Sequence, residues 1–485
     1  MSWWPWLHRN LRADPNVSTS FARNRAVFAR SAAPLRPMTV MVDARLRARA
    51  VHDPKVQYLL ELLADAPVCA HLYGDDGPPR SAPRMIADDT GVEASGGWVS
   101  VAPGDRAHRL DIRYVKEGVP TRVEARTDDP SFVLIADGSP LAGYEPTGNA
   151  LDRVRADAIA LLVAKTIRAD LFVTDRTLLA RPESGFWWTT TVMPPEDALP
   201  VVGLYLRQQG RFVYARTPAL GQTSTRNDDT VQRPPGWFYW EAASTLLPAA
   251  AERRRAVLPA TLLQRVEQTL RARDRLLAAE SVPRAPETVD DIQGDLDQIL
   301  LWLMAAFDIA ARVAHETLGL TGNSRDAGWQ KKDWRKRVGA VVPELASLVR
   351  PGSIGHHVLT VIRLMRNSIH GEALSAVGFI VGPRPLETMV GLPDDAREPV
   401  GAAMDALGGR AAWGADDPRP HAAFRLHPGE FVEQLVPRAI GLLDELTAGI
   451  PVERPDPANQ KTGRWSRGRR DRSLLEDRLL WQLGL

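Results

Sequence analysis

The stretch LDRVRADAIALLVAKTIRADLFVTD, residues 151–175, decides the architecture of the first half of the chain. Residues 151–169 read as a helix, and 170–175 form an apolar run too short for a helix and closed by Asp175. A helix leading directly into a buried strand is the repeating step of an α/β fold. Upstream, MTVMVD (38–43) has the same strand character and also ends on an aspartate, Asp43. PKVQYLLELLADA (54–66) follows as a helix, with Asp53 placed to cap it ahead of Pro54. Residues 74–97 then form a Gly/Pro/Asp-rich loop. The short alternating runs GWVSVA, HRLDIRYV, TRVEAR and SFVLIA come next, separated by turn residues, and predict antiparallel strands over 97–136.

Two strands ending in Asp carry a chemical expectation, because α/β sheets hold ligands beyond the C-terminal ends of their strands. Asp43 and Asp175 meet there if their strands are neighbours, and Asp157 near the start of the feeding helix reaches the same edge. Three carboxylates suit Mg²⁺ or Mn²⁺, hard cations that take oxygen ligands. Such an ion activates water and stabilises a phosphodiester transition state. The competing reading makes each Asp a turn former or a helix cap.

Asp43 after the first strand, Asp157-Ala158-Ile159 in an Ala-rich helix, and the run from Ala169 to Arg176 resemble a PIN-like nuclease domain over residues 37–182. The resemblance implies an α/β domain that cleaves RNA with a metal ion at Asp43, Asp157 and Asp175. It also implies a further acidic residue between the first and last positions, for which Glu61, Asp65, Asp75 and Asp76 stand as equal candidates. Two features depart from the pattern: Ala44-Arg45 follows Asp43, and the β-rich insertion at 97–136 is no part of a minimal domain. A haloacid-dehalogenase reading needs Asp-x-Asp after the first strand, which Asp43-Ala44-Arg45 lacks.

The second half is dominated by helical patterns, among them 288–320 and HHVLTVIRLMRNSIHGEAL at 356–374. Wound at 100° per residue, the latter gathers Val358, Val361, Ile362, Met365 and Ile369 on one side. The other side holds His356, Arg363, Arg366, Asn367 and His370, with Gly371 following. Imidazole titrates near neutrality and moves protons, while guanidinium grips phosphate oxygens in pairs. This Arg-Asn-x-x-His-Gly segment resembles the HEPN family of helical ribonucleases and nucleotide-binding proteins over about 286–450. That resemblance implies an all-α bundle, RNA cleavage without a metal, and a site shared across a homodimer. It makes His370 the general acid/base and Arg363, Arg366 and Asn367 the phosphate-holding side chains. Arg366 to His370 leaves three intervening residues, one short of the family spacing, whereas Arg363 to His370 leaves six and fits.

Composition narrows the rest. A chain of 485 residues exceeds one ordinary core. Its 44% hydrophobic and 25% charged content is that of a globular protein. The net charge of +2 gives no global attraction to nucleic acid or membrane. Basic residues are mostly Arg (61 − 7 Lys = 54), and the patch RWSRGRRDR at 464–472 supplies local attraction to phosphate. One cysteine, Cys69, excludes an internal disulfide framework and a cysteine zinc cluster. The start, MSWWPWLHRNLRADP, has no signal-peptide apolar run, and no segment has bilayer-spanning length, so a cytoplasmic, membrane-free protein is expected. The expected organisation is a Trp/Arg-bearing arm (1–36), the PIN-like domain with its β-rich insertion (37–182) and an aromatic-rich connection (183–285). The HEPN-like helical domain (286–450) and a linker with basic patch and short helix (451–485) complete it. Together these readings predict a ribonuclease of toxin or antiviral-defence type, with RNA and an antitoxin or defence protein as partners. The alternative is a catalytically degenerate scaffold that binds RNA, nucleotide or a partner.

Overall fold

The computed structural model describes residues 37–64, 67–75, 96–106, 108–116, 119–128, 149–176, 179, 191–216, 230–232, 234–280, 286–371, 376–379, 387–392, 394–415, 425–451 and 472–485. The expected arm at 1–36, the strand SFVLIA and nearly all of the 464–472 patch lie outside them. Two compact units are present. One takes in the described residues up to Gln232 together with Leu480–Leu485; the other takes the described residues between Arg233 and Leu479. The stretch read as a connection is thus divided between the units.

The first unit is built on a four-stranded, all-parallel sheet. Strand β1 (Met38–Asp43) leads into the short helix α1 (Arg45–Ala50) and then α2 (Pro54–Leu63). As its sequence predicts, Asp53 caps α2, its side chain accepting from the N–H groups of Lys55 and Val56 at 3.0 and 3.3 Å. Strand β2 (Val68–Tyr73) pairs with β1 in parallel. A separate antiparallel sheet follows: β3 (Ser100–Pro103), β4 (Arg109–Lys116) and β5 (Val119–Arg126). Helix α3 (Asn149–Thr166) then runs into β6 (Leu171–Val173). The junction is a Schellman turn: Arg168, at φ 60°, bonds back to Lys165 O, and Ala169 bonds back to Ala164 O at 2.9 Å.

Strand β7 (Thr191–Met193), helix α4 (Pro195–Gln208) and the hairpin β8 (Val213–Arg216) and β9 (Thr230–Gln232) complete the unit's main segment. The parallel sheet has the order β2-β1-β6-β7, so the chain leaves β1 to one side first and returns later to its other side. That reversal is a topological switch point, where a crevice opens beyond the strand ends. Register sets Met41 beside Phe172 and Phe172 beside Val192, and these side chains pack with Ala158, Leu162, Ile112 and Tyr114 in one apolar core. At the opposite, N-terminal end the Tyr205 hydroxyl of α4 accepts from Met38 N and donates to Pro67 O, each at 3.0 Å. Asp170 ties β1 to β6 there, its Oδ2 accepting from Thr39 N at 2.9 Å.

The second unit begins with α5 (Pro235–Leu246), α6 (Pro248–Glu252) and α7 (Val257–Glu280). The last two are separated by a break at 253–256, and Pro259 sits in the first turn of α7, where its missing N–H costs little. The long α8 (Pro286–Thr317), then α9 (Lys332–Val341), α10 (Pro343–Ser347) and α11 (Ile354–Gly371) follow. After α11 the expectation of an all-α domain needs correction. Strands β10 (Ala376–Phe379) and β11 (Glu387–Gly391) form an antiparallel sheet with β12 (Arg425–Leu426), the last reached after α12 (Asp394–Ala406). These runs hold only two to five residues each, too few to show a period, and they close through partners far apart in sequence. Helices α13 (Pro428–Gly449) and α14 (Leu474–Leu483) end the fold.

Helix α14 leaves the helical unit: residues 480–485 belong with the α/β unit. Buried Gln482 donates through Nε2 to Val213 O at 2.7 Å and to the Tyr58 hydroxyl of α2. Its own carbonyl accepts from Arg207 Nη1 at 2.9 Å. Trp481 stacks near Tyr58 and takes the Lys55 ammonium over its ring at 5.6 Å. Among the described residues, no helix is long and apolar enough to cross a membrane.

Candidate functional site

The switch point gathers charge. Asp43 ends β1, wholly buried, and its Oδ1 accepts from Arg45 N at 3.1 Å. Its Oδ2 accepts from Thr174 Oγ1 at 3.0 Å and from Arg176 Nε at 2.6 Å. The Arg176 guanidinium, 1% exposed, uses its other two nitrogens as well: Nη1 donates to Asp157 Oδ1 at 2.9 Å and Nη2 to Asp75 Oδ1 at 2.8 Å. One cation therefore bonds three carboxylates from β1, α3 and the end of β2. Asp75 receives a second guanidinium on Oδ2, from Arg45 Nη2 at 2.5 Å. The Tyr73 ring lies 5.7 Å from the centre of the Arg176 guanidinium.

Burial and charge pull the titrating groups in opposite directions. Burial lifts the Asp157 carboxyl above the ordinary aspartate range, although Arg176 opposes the shift. Burial disfavours the charged form of Arg176, and the Asp43 and Asp75 carboxylates outweigh it, so its pKa is raised. The Tyr73 hydroxyl is pushed up by burial and by Asp75.

The edge thus brings Asp43 and Asp157 together around Arg176, and it places Asp175 elsewhere, with an exposed side chain. Of the four acidic residues left open by sequence, Asp75 is the one at this edge; Glu61 lies within α2, and Asp65 and Asp76 fall outside the described residues. Sequence reasoning missed Thr174 and Arg176 and does not single out Asp75 from its three rivals. A signal for the first two exists: strand alternation continued past Val173 sends 174 and 176 to one side and 175 to the other. Asp75 has none, since it lies in a loop.

A divalent cation does not fit this arrangement. Mg²⁺ holds its oxygens at ~2.1 Å, whereas oxygens bonded to guanidinium nitrogens at these lengths stand roughly 3.5–4 Å from its central carbon. Arg176 fills the space between the carboxylates. Among the described residues, no group of three or more His, Cys, Asp or Glu side chains is arranged to hold a metal ion.

The helical unit carries a second polar site. Helix α11 buries Val358, Leu359, Val361, Ile362 and Met365, each contributing about 1.5–3 kcal/mol on full burial. Its start is fixed by Ser353, whose Oγ accepts from His356 N at 3.1 Å and donates to Leu348 O at 2.9 Å. Gly355 is required there, because a Cβ would stand 2.3 Å from Leu348 O and 2.8 Å from Leu442 Cδ1. The other face leaves Arg363 and Asn367 exposed and His356, His357 and Arg366 half-buried, as the periodicity predicts. Arg366 Nη1 reaches Asn367 Oδ1 at 3.4 Å, a long contact that leaves the guanidinium largely uncommitted. The backbone of His370 lies in α11; its side chain falls outside the described residues.

Further cations approach this face. The His356 and His357 rings stand 5.8 Å apart. His356 is held below the ordinary histidine range by burial first, then by the positive fields of His357, Arg335 of α9 and Arg363. Arg335 itself is steadied by donating to Trp329 O at 3.0 Å. Exposed Asp308 on α8 senses the Arg366 and Lys331 charges and is the acidic group facing this array. Such a face sets a half-buried imidazole, its titration lowered, beside guanidiniums.

No protein-family model matches the chain, and neither a curated protein nor a solved structure matches it.

Proposed function

We propose that the protein binds RNA through the polar face of α11, with Arg363, Arg366 and Arg335 holding backbone phosphates. One observation carries this reading: the His356 and His357 rings stand 5.8 Å apart on the face that also presents Arg363 and Arg366, and Arg335 of α9 bears on the same imidazole. Cations outnumber carboxylates on this face, where Asp308 is the acidic group that faces them, and phosphate contacts by Arg supply affinity independent of base sequence. Asn367 adds an exposed amide that donates to sugar or phosphate oxygens.

The test is binding of a fluorescein-labelled single-stranded RNA across a salt series. Affinity that falls with salt, and a shallower salt slope in Arg363→Ala and Arg335→Ala, is the expected result. Salt-independent binding, or binding unchanged in both variants, overturns it.

A second reading adds catalysis at the same face. The half-buried His356, its titration lowered by burial and then by neighbouring cations, and the family-like position of His370 favour metal-independent cleavage: one imidazole takes the 2′-hydroxyl proton as that oxygen attacks phosphorus, the 5′-oxygen leaves with a proton from another, and Arg363 and Arg366 hold the phosphate. Cleavage that persists in EDTA and is lost in His370→Ala supports it. Binding without cleavage leaves the protein as an RNA-binding scaffold.

A further inference from the structure

We propose that Arg176 is the resident cation of the acidic edge, so that the native chain takes no divalent ion there and a latent ion site lies beneath the guanidinium. The proposal rests on the α/β unit alone and stands whether or not α11 binds RNA.

Geometry carries it. All three guanidinium nitrogens are spent on carboxylates, at 2.6, 2.8 and 2.9 Å. Those carboxylates come from separate elements and converge at the switch point, where the sheet leaves a crevice. Charge agrees with geometry. Asp43, Asp75 and Asp157 contribute three negative charges, and Arg45 and Arg176 contribute two positive ones, leaving a residual of one. A divalent ion added to this set would face a fixed guanidinium at its own position. Exchange of Arg176 for a divalent ion would change the sum from minus one to zero, so the carboxylates lack only space.

The anchoring of Arg176 argues against easy displacement. Its backbone N–H donates to Thr174 Oγ1 at 3.2 Å, and the same hydroxyl donates to Asp43. Backbone, hydroxyl, carboxylate and guanidinium therefore close a ring that holds Arg176 from both ends. The side chain is almost wholly buried, so opening it exposes Asp43 as well.

The test uses the full chain and Mn²⁺ alone, with free Mn²⁺ read by its electron paramagnetic resonance signal. Wild type and Asp43→Asn are expected to bind the same background amount. Arg176→Ala is expected to bind one further equivalent at millimolar Mn²⁺, and Arg176→Ala/Asp43→Asn is expected to lose it. An equivalent bound by wild type and missing from Asp43→Asn overturns the proposal. So does a folded Arg176→Ala protein with no added equivalent. Thermal unfolding of wild type in Mg²⁺ and Mn²⁺ provides a measurement that needs no Arg176 variant. An unchanged midpoint relative to Asp157→Asn supports Arg176 as the resident cation, and a metal-dependent rise absent from Asp157→Asn overturns it.

Discussion

Arg176 Nε lies 2.6 Å from Asp43 Oδ2, and both side chains are essentially sealed from solvent. A buried charge pair is a weak source of net stability, but breaking one by removing a single partner is costly. Arg176→Ala should therefore lower stability by about 3–5 kcal/mol, because three carboxylates lose their shared cation. Asp175→Asn, at an exposed position next to Arg176 in sequence, should stay within about 0.5 kcal/mol of wild type. Urea denaturation of both variants checks the contrast, and equal losses would show that the guanidinium is not the keystone of the edge.

Buried His71 makes the α/β unit acid-sensitive. Its Nδ1 lies 3.1 Å from Gly96 O, and burial pulls its pKa from 6.5 to about 4 against the raising effect of that hydrogen bond. Between those values the unfolded chain holds a proton that the folded chain refuses. The stability contributed by a neutral His71 is complete above pH 6.5 and is lost as pH falls toward 4. The slope reaches at most about 1.4 kcal/mol per pH unit. Denaturation midpoints measured from pH 7.5 to 4.5 should fall less steeply in His71→Gln than in wild type.

His356 should titrate below 6.5 in the free protein. Raised salt, Arg363→Ala, or bound RNA should each move that titration upward, since each weakens or offsets the surrounding positive field. Two-dimensional NMR of the histidine ring resonances reads this directly. A titration indifferent to all three would remove the electrostatic basis for RNA binding at α11.

Gln482→Leu should destabilise the α/β unit by about 1–3 kcal/mol, because Val213 O loses its shorter hydrogen bond and keeps only the 3.3 Å contact from the Tyr58 hydroxyl. The fluorescence of Trp481, which stands beside Tyr58, reports the loss of docking. An unaltered unfolding curve would mean that residues 480–485 add nothing to this core.

What was legible in sequence follows from period and position. Asp43 is legible because a strand end places its side chain predictably, whereas Asp157 reaches the edge from the middle of α3 rather than from its start. The polar face of α11 was found because a strong 3.6-residue period leaves no ambiguity about which side is buried. Asp75 stays one of four equal acidic candidates and Arg176 goes without a role for the converse reason: they follow their strands, where backbone geometry more than pattern sets direction. Strands β10–β12 are too short to declare themselves, and their pairing spans intervening segments that sequence alone does not order. The amphipathic pattern of α14 showed that it packs, yet an apolar stripe carries no address, so its docking beside Tyr58 was not readable.

That docking has a temporal meaning. A ribosome releases the strands and helices of the α/β unit long before it reaches Gln482, and the helical unit is synthesised in between. Until then Val213 O lacks the Gln482 donor and the Tyr58 hydroxyl lacks its amide partner. The early half of the chain must wait in an unfinished state for its own closing segment. During translation, therefore, the last-made piece of this unit acts as a clock, setting the earliest moment at which the α/β unit can become fully stable.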